Sequence, residues 1–441
     1  MYFHGTSKVN TKGHLEIGGV DTIELAADYG TPLYVYDVAL IRERARDFQT
    51  TFKNLGVKAQ VAYASKAFSS VAMFQLIKEE GLSLDVVSGG ELYTALVADF
   101  PVDRIHFHGN NKSVEELEMA VEKKIGCVVV DNFLELTLLQ DICAKHEYTM
   151  PILLRVTPGI NAHTHDYILT GQEDSKFGFD LQSGQAYKAM KIASGASHLD
   201  LLGIHCHIGS QIFETTGFKL AAGKLFDTLK EWNEQEGFEA RVVNLGGGFG
   251  IRYTEEDNPL PASVYVEEII TDVQTFVKDH NLKMPEIWIE PGRSLVGDAG
   301  TTIYSVGSKK EIPNIRHYLA IDGGMTDNIR PALYQAKYEA VLANRVLDEA
   351  DDMVSIAGKC CESGDMLIWD LPLPKANHED YLAVFCTGAY GYAMANNYNR
   401  ITKPAVVFVE EGEAQLVIRR ETFEDLVRLD LPFQAKTKLT K

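Results

Sequence analysis

The sequence has few of the features that mark a secreted, membrane-bound or nucleic-acid-binding chain. Its six cysteines, Cys127, Cys143, Cys206, Cys360, Cys361 and Cys386, form no C-x-x-C pair and fall short of a disulfide scaffold, so a reducing cytoplasm is expected. No apolar run approaches a membrane span, and the start, Met1-Tyr2-Phe3-His4-Gly5, lacks the basic-then-apolar pattern of a secretory signal. A surplus of basic residues is also absent. The net charge of −20 disfavours nucleic acid and anionic membranes as partners, and means that an anionic substrate must be gripped by local cations. Internal repeats, low-complexity linkers and a His-x-x-x-His motif are missing as well.

What remains is an ordinary globular composition, 45% hydrophobic and 24% charged, in a chain of 441 residues, long enough to expect two domains. After a helical pattern at 22–29 and the strand-like 32–36, short β-rich runs alternate with helical segments as far as about residue 296. The strands are expected at 61–64, 83–87, 105–108, 127–130, 152–156, 201–207, 242–245 and 286–290. Eight strands at these intervals describe a (β/α)8 TIM-type barrel. Beyond Gly300 the helical patterns thin out, and strands at 301–306, 317–321, 352–357, 381–385, 405–410 and 415–419 predict a second, all-β domain. The expected division is therefore residues 1–36 contributing to the β domain, 37–296 the barrel, 297–431 the C-terminal β domain and 432–441 a basic tail.

A barrel places its active site at the C-terminal ends of its strands. The unusual polar residues of this chain fall there: Lys66, Asp85, Ser88, His106, His108, Arg155, His205, His207, Gly246-Gly247-Gly248, Glu290 and Arg293. Lys66, in Tyr63-Ala64-Ser65-Lys66-Ala67, follows a strand among small and apolar residues, where it is either desolvated, which would lower its pKa and suit it to attack a carbonyl, or snorkels from the strand end into water. The glycine run after the seventh strand can converge backbone N–H groups on an anion such as a phosphate, with Ser210 adding a hydroxyl. Glu290, in Glu290-Pro291-Gly292-Arg293, either holds a pyridine nitrogen in its protonated form, as pyridoxal phosphate requires, or pairs with Arg293 in a salt bridge. His205 and His207 face one side of their strand. A shared metal is the rival reading, but supporting ligands at suitable spacing are not evident, so His207 is read as stacking on a cofactor ring and His205 as a hydrogen-bonded core histidine.

Tyr-Ala-Ser-Lys-Ala, His-Cys-His-Ile-Gly-Ser-Gln, Gly-Gly-Gly-Phe, Glu-Pro-Gly-Arg and Cys-Glu-Ser-Gly-Asp follow one another in an order that resembles the fold type III decarboxylases using pyridoxal phosphate. Among these the diaminopimelate decarboxylase family is the nearest. The resemblance implies a carboxy-lyase that turns meso-2,6-diaminopimelate into L-lysine and CO2, the last step of lysine biosynthesis. It implies that Lys66 carries the cofactor and that Cys361 returns a proton to the substrate carbon. It places His207 on the cofactor ring, Ser210, Gly247, Gly248, Gly292 and Arg293 about its phosphate, Glu290 at its nitrogen, and Tyr390 over cofactor and substrate. Glu362 would hold the distal ammonium of the substrate, and Arg293 and Arg330 with Tyr334 its distal carboxylate. Asp85, Glu91, Arg155 and His108 match pocket-lining or loop positions without separable roles. A homodimer is implied, with the cysteine motif reaching the neighbouring subunit's site. The alternatives are an ornithine- or arginine-type decarboxylase, whose substrates leave a paired Arg293 and Arg330 unmatched, and a non-catalytic pyridoxal-binding barrel, which needs no Cys-Glu-Ser-Gly-Asp domain.

Overall fold

A computed structural model describes residues 2–159 and 175–433; of the expected tail, residues 434–441 lie outside them. Eight parallel strands close a barrel: β1 Ala59–Ala64, β2 Ser83–Val86, β3 Ile105–Phe107, β4 Cys127–Val130, β5 Met150–Thr157, β6 Leu199–His205, β7 Val242–Asn244 and β8 Glu286–Ile289. Neighbours in sequence pair in order, and β8 pairs with β1 to complete the ring. All eight expected strands are present, with ends shifted by two residues at most.

Period-two alternation explains how this barrel makes a site. Cys127, Val129, Leu153, Val242 and Trp288 form a small apolar cluster, separate from the core under the helices. Two residues further along four of these strands, on the same face, stand Asp131, Arg155, Asn244 and Glu290. The barrel is therefore apolar below and polar at its C-terminal mouth.

The turns at that mouth are tied to one another by the caps of the following helices. Ser88 accepts from Glu91 N, Ser113 from Glu116 N and Asn132 from Glu135 N, each capping the helix that follows a barrel strand. Each capping glutamate also reaches back to the preceding turn. Glu91 Oε2 accepts from Ser65 Oγ at 2.7 Å, Glu116 Oε1 from Gly89 N at 2.6 Å, and Glu135 Oε1 from Lys112 Nζ at 2.7 Å.

The second sheet runs in the order Met366–Leu373, Asp352–Ala357, Arg316–Ile321, Gly300–Ile312, Leu33–Asp37, Ala405–Glu410 and Glu413–Ile418, with Ala340–Leu342 and Tyr381–Val384 branching from it. The N-terminal strand Leu33–Asp37 lies inside this sheet, antiparallel to Gly300–Ile312 and parallel to Ala405–Glu410. Sequence reading missed the strands Ala340–Leu342 and Met366–Leu373. The second is half-exposed without strict alternation and includes Pro372, which argues against a strand when read alone.

Candidate active site at the barrel mouth

β1 ends at Ala64, and Lys66 sits in the single 3₁₀ turn Ser65–Ala67 that follows. The flanking Ser65 and Ala67 are buried but the Lys66 side chain is exposed, which agrees with the snorkelling alternative and not with a desolvated strand-end lysine. The reason is local: the turn releases the chain one residue before Lys66 and tips its side chain into the open mouth. Its charge acts on Asp85, His205 and His207, so its electrostatic reach covers the mouth. Two contacts fix the turn. Glu91 holds Ser65, and Tyr390 N, from the β domain, donates to Ala67 O at 2.8 Å. Glu91, whose role the sequence left open, is thus the residue that locks the turn bearing Lys66.

Glu290 lies just past β8 and is 6% exposed. The alternative pairing with Arg293 does not form. Asn244 Nδ2 instead donates to Oε1 at 2.6 Å and His205 Nε2 to Oε2 at 3.0 Å. His108 Nε2 stands 2.9 Å from Oε1, at an angle that falls short of a hydrogen bond. Burial by itself would raise the Glu290 pKa, but His108 and His205 opposite it hold the carboxyl well below its usual range. His205 is buried neutral, its pKa lowered chiefly by burial. It is the hydrogen-bonded core histidine expected of it, and its partner is Glu290.

Asp85 faces the same cluster, 3.7 Å from His108 Nε2, and burial pushes its carboxyl up to about 6, against the opposing pull of His108. His207 accepts from Gly247 N through Nδ1 at 3.3 Å, and burial together with the Lys66 charge lowers its pKa well below normal. It is therefore a neutral ring with its proton on Nε2. The glycine run is required sterically: a Cβ on Gly247 would lie 2.0 Å from Glu290 O, and one on Gly248 2.3 Å from Gly209 O. Arg155 is buried with its guanidinium 4.3 Å from the centre of the Phe177 ring and its Nε 4.0 Å from Asp131 Oδ1, so it forms part of the wall. Gly292 packs against Ala64, where a Cβ would meet the Ala64 Cβ at 3.0 Å.

Arg293 and Arg330 are buried and come from different domains, yet their side chains meet. Arg293 Nη2 donates to Ser210 Oγ at 3.0 Å and Nη1 to Tyr253 OH, while Arg330 Nη1 donates to the same Tyr253 OH at 3.0 Å and to Tyr338 OH at 2.6 Å. The Arg293 guanidinium also lies 4.9 Å from the centre of the Tyr390 ring. Tyr334 ends the same short helix as Arg330 but is 41% exposed, and the phenols that touch the arginines are Tyr253 and Tyr338. Sequence reading missed both, together with Asn244. The available signals were Asn244 two residues above the inward Val242, and Tyr253 just beyond the glycine run.

Cys361 and Glu362 lie on an exposed turn of the β domain, where Cys361 N donates to Asn399 Oδ1 at 2.7 Å. Among the described residues neither side chain contacts the group around Lys66. Asp365 staples their turn by accepting from Cys360 N at 2.8 Å and Met325 N at 2.6 Å. Cys360 is half-buried, and burial with Asp365 beside it pushes its thiol up to about 12.

Comparison with known proteins matches residues 38–297 to the family model "Pyridoxal-dependent decarboxylase, pyridoxal binding domain". The chain is 74% identical over 421 residues to the diaminopimelate decarboxylase of Bacillus methanolicus, covering 96% of this chain and 98% of that one. It is 67% identical over 438 residues to that of Bacillus subtilis strain 168, covering 99% and 100%. Among solved structures, diaminopimelate decarboxylase from M. jannaschii in co-complex with L-lysine superposes with a TM-score of 0.92 at 37% identity, covering 98% of this chain and 99% of that one. With a barrel mouth, a strand-end lysine and a buried ionised glutamate of the kind such enzymes need, the chain belongs to the pyridoxal-dependent decarboxylases, and within them to the diaminopimelate decarboxylase family.

Proposed function

We propose that the protein converts meso-2,6-diaminopimelate into L-lysine and CO2 with pyridoxal phosphate as cofactor. Besides family membership, the observation that carries this reading is the pair of buried guanidiniums, Arg293 and Arg330, sharing one phenol. No carboxylate pairs with either among the described residues. Such a pair has the bidentate geometry and charge for a substrate carboxylate remote from the one that is lost.

The mouth fits the cofactor on its donor set. Glu290 is a buried carboxylate held ionised, matched to a protonated pyridine nitrogen, and His207 is a neutral flat ring beside the Lys66 amine. Lys66 would hold the cofactor aldehyde, with Ser210, Gly247, Gly248, Gly292 and Arg293 around its phosphate. When bound, pyridoxal phosphate supplies an electron sink for the pair left on Cα as CO2 departs.

The chain's own groups do the rest. Glu290 keeps a proton on the ring nitrogen, and Asn244 and His205 hold Glu290 in place. Arg293 and Arg330 fix the far end of the substrate, so that only one of its two carboxylates is presented for loss. Glu362 holds the distal ammonium and Cys361 delivers a proton from its thiol to the substrate carbon. Because Cys361 and Glu362 are exposed and apart from Lys66 in one chain, we assign them to the site of a second subunit in a cytoplasmic homodimer with shared active sites. Residues 37–296 are taken as the barrel unit and 297–431, with 1–36, as the β unit.

CO2 release from diaminopimelate, lysine, ornithine and arginine tests the reading. Turnover is expected on diaminopimelate alone, and a preference for ornithine or arginine would overturn it.

A further inference from the structure

We infer that Tyr253 is a positioning residue for substrate specificity: its hydroxyl sets the spacing of Arg293 and Arg330, and its proton is offered to the carboxylate they bind. The inference rests on reading those arginines as the carboxylate clamp.

Tyr253 is 8% exposed, on the segment that follows β7 and the glycine run. Arg293 follows β8 of the barrel, whereas Arg330 begins a short helix of the β domain, Arg330–Tyr334. Two cations from different domains repel each other; Ser210 anchors Arg293 and Tyr338 anchors Arg330, and Tyr253 is the group bonded to both. The Tyr253 oxygen accepts an N–H from each of them. Its ring lies under both as well, 5.5 Å from the Arg293 guanidinium carbon and 5.0 Å from that of Arg330. Tyr338 meets Tyr253 edge-on, with ring centres 5.6 Å apart at 86°, which fixes the plane of the ring.

A phenol oxygen accepts through two lone pairs and donates one proton. With both lone pairs taken by guanidiniums, the Tyr253 proton has no acceptor among the described residues. An anion seated between the arginines would supply one. Tyr253 therefore links the two halves of the clamp and adds a third donor to it. A carboxylate accepts from all three groups, whereas an ammonium or an apolar end finds only donors there.

The decisive comparison uses two inhibitors of the cofactor-loaded dimer. L-lysine, the product, retains the distal carboxylate, while cadaverine has the same carbon chain and amines but no carboxylate. Tyr253→Phe keeps the ring and removes the hydroxyl. We expect it to raise the KM for diaminopimelate and the inhibition constant of L-lysine about tenfold, the loss of one charge-assisted hydrogen bond. It should leave cadaverine inhibition, kcat and cofactor absorbance within about twofold on the same scale of free energy. Arg330→Met is run beside it. If Arg330→Met weakens L-lysine selectively and Tyr253→Phe does not, the role of Tyr253 is overturned while the clamp stands. If Arg330→Met affects L-lysine and cadaverine alike, the clamp reading itself falls. If Tyr253→Phe weakens both inhibitors equally and lowers the melting temperature, Tyr253 is merely structural and the inference is refuted.

Discussion

Replacing Glu290 by glutamine separates the charge of this residue from its shape. Oε1 accepts from Asn244 and Oε2 from His205, whose Nδ1 has no partner among the described residues. A glutamine oxygen at the Oε1 position keeps the Asn244 bond. Its amide at the Oε2 position faces His205, which can shift its proton to Nδ1 and accept through Nε2. The fold therefore exchanges charge-assisted for neutral hydrogen bonds, a cost of about 1–2 kcal/mol. The catalytic cost is larger. An opposite charge a few ångströms away shifts a titrating group by about 1–3 units, and each unit is worth about 1.4 kcal/mol. Losing that support for the protonated ring nitrogen should lower kcat by roughly 10- to 1000-fold. Urea unfolding, the cofactor absorbance of the purified dimer and CO2 release from diaminopimelate measure the three quantities separately. Were Glu290→Gln to load cofactor fully and keep kcat within about fivefold of the parent, a loss of only ~1 kcal/mol, Glu290 could not be the group that holds the ring proton.

Four further outcomes are expected. Lys66→Ala, purified after loading with pyridoxal phosphate and freed of excess, should show no imine absorbance and retain no cofactor mass after borohydride reduction, because the amine that would hold the aldehyde is gone. Cys361→Ala should bind cofactor but turn over slowly; mixing it with Lys66→Ala should restore about a quarter of the parent activity, since half of randomly formed two-fold dimers carry one intact site of two. No recovery on mixing would place Lys66 and Cys361 in the same subunit's site. Asp85, raised from 3.8 to about 6, binds its proton more tightly folded than unfolded, so its contribution to stability is present below the unfolded value and lost as pH rises through about 6. In the cofactor-free protein Asp85→Asn should accordingly gain up to ~3 kcal/mol in urea unfolding at pH 8 and almost nothing below about pH 4, and a gain independent of pH would refute the assignment. The tenfold selective loss of L-lysine binding in Tyr253→Phe completes the set.

Much of the molecule was legible one residue at a time. Strand positions follow from short β-rich runs between helical segments, a pattern that depends only on neighbours in the chain, and all eight barrel strands were read from it. The polar residues of the mouth were visible at the ends of those runs, and the ordered motifs pointed to the family. The exposure of Lys66 was not legible, because one turn of 3₁₀ geometry decides whether a side chain points into a packed wall or an open mouth. Nor was the partner of Glu290: Arg293 is three residues away in sequence, but the turn at Gly292 directs it elsewhere, and Asn244, His205 and His108 arrive from three other strands or strand ends.

The sequence by itself determined the barrel, the β-rich second half and the family, since each is carried by a local pattern or an ordered set of motifs. Only the tertiary structure decided which side chains touch. It brought Arg293 and Arg330 together from different domains onto Tyr253, locked the Lys66 turn with Glu91 and Tyr390, and left Cys361 on an exposed turn of the β domain. The physical reason is that hydrogen bonds and ion pairs act over about 3 Å, a distance that sequence separation does not encode once a closed barrel joins its first strand to its last.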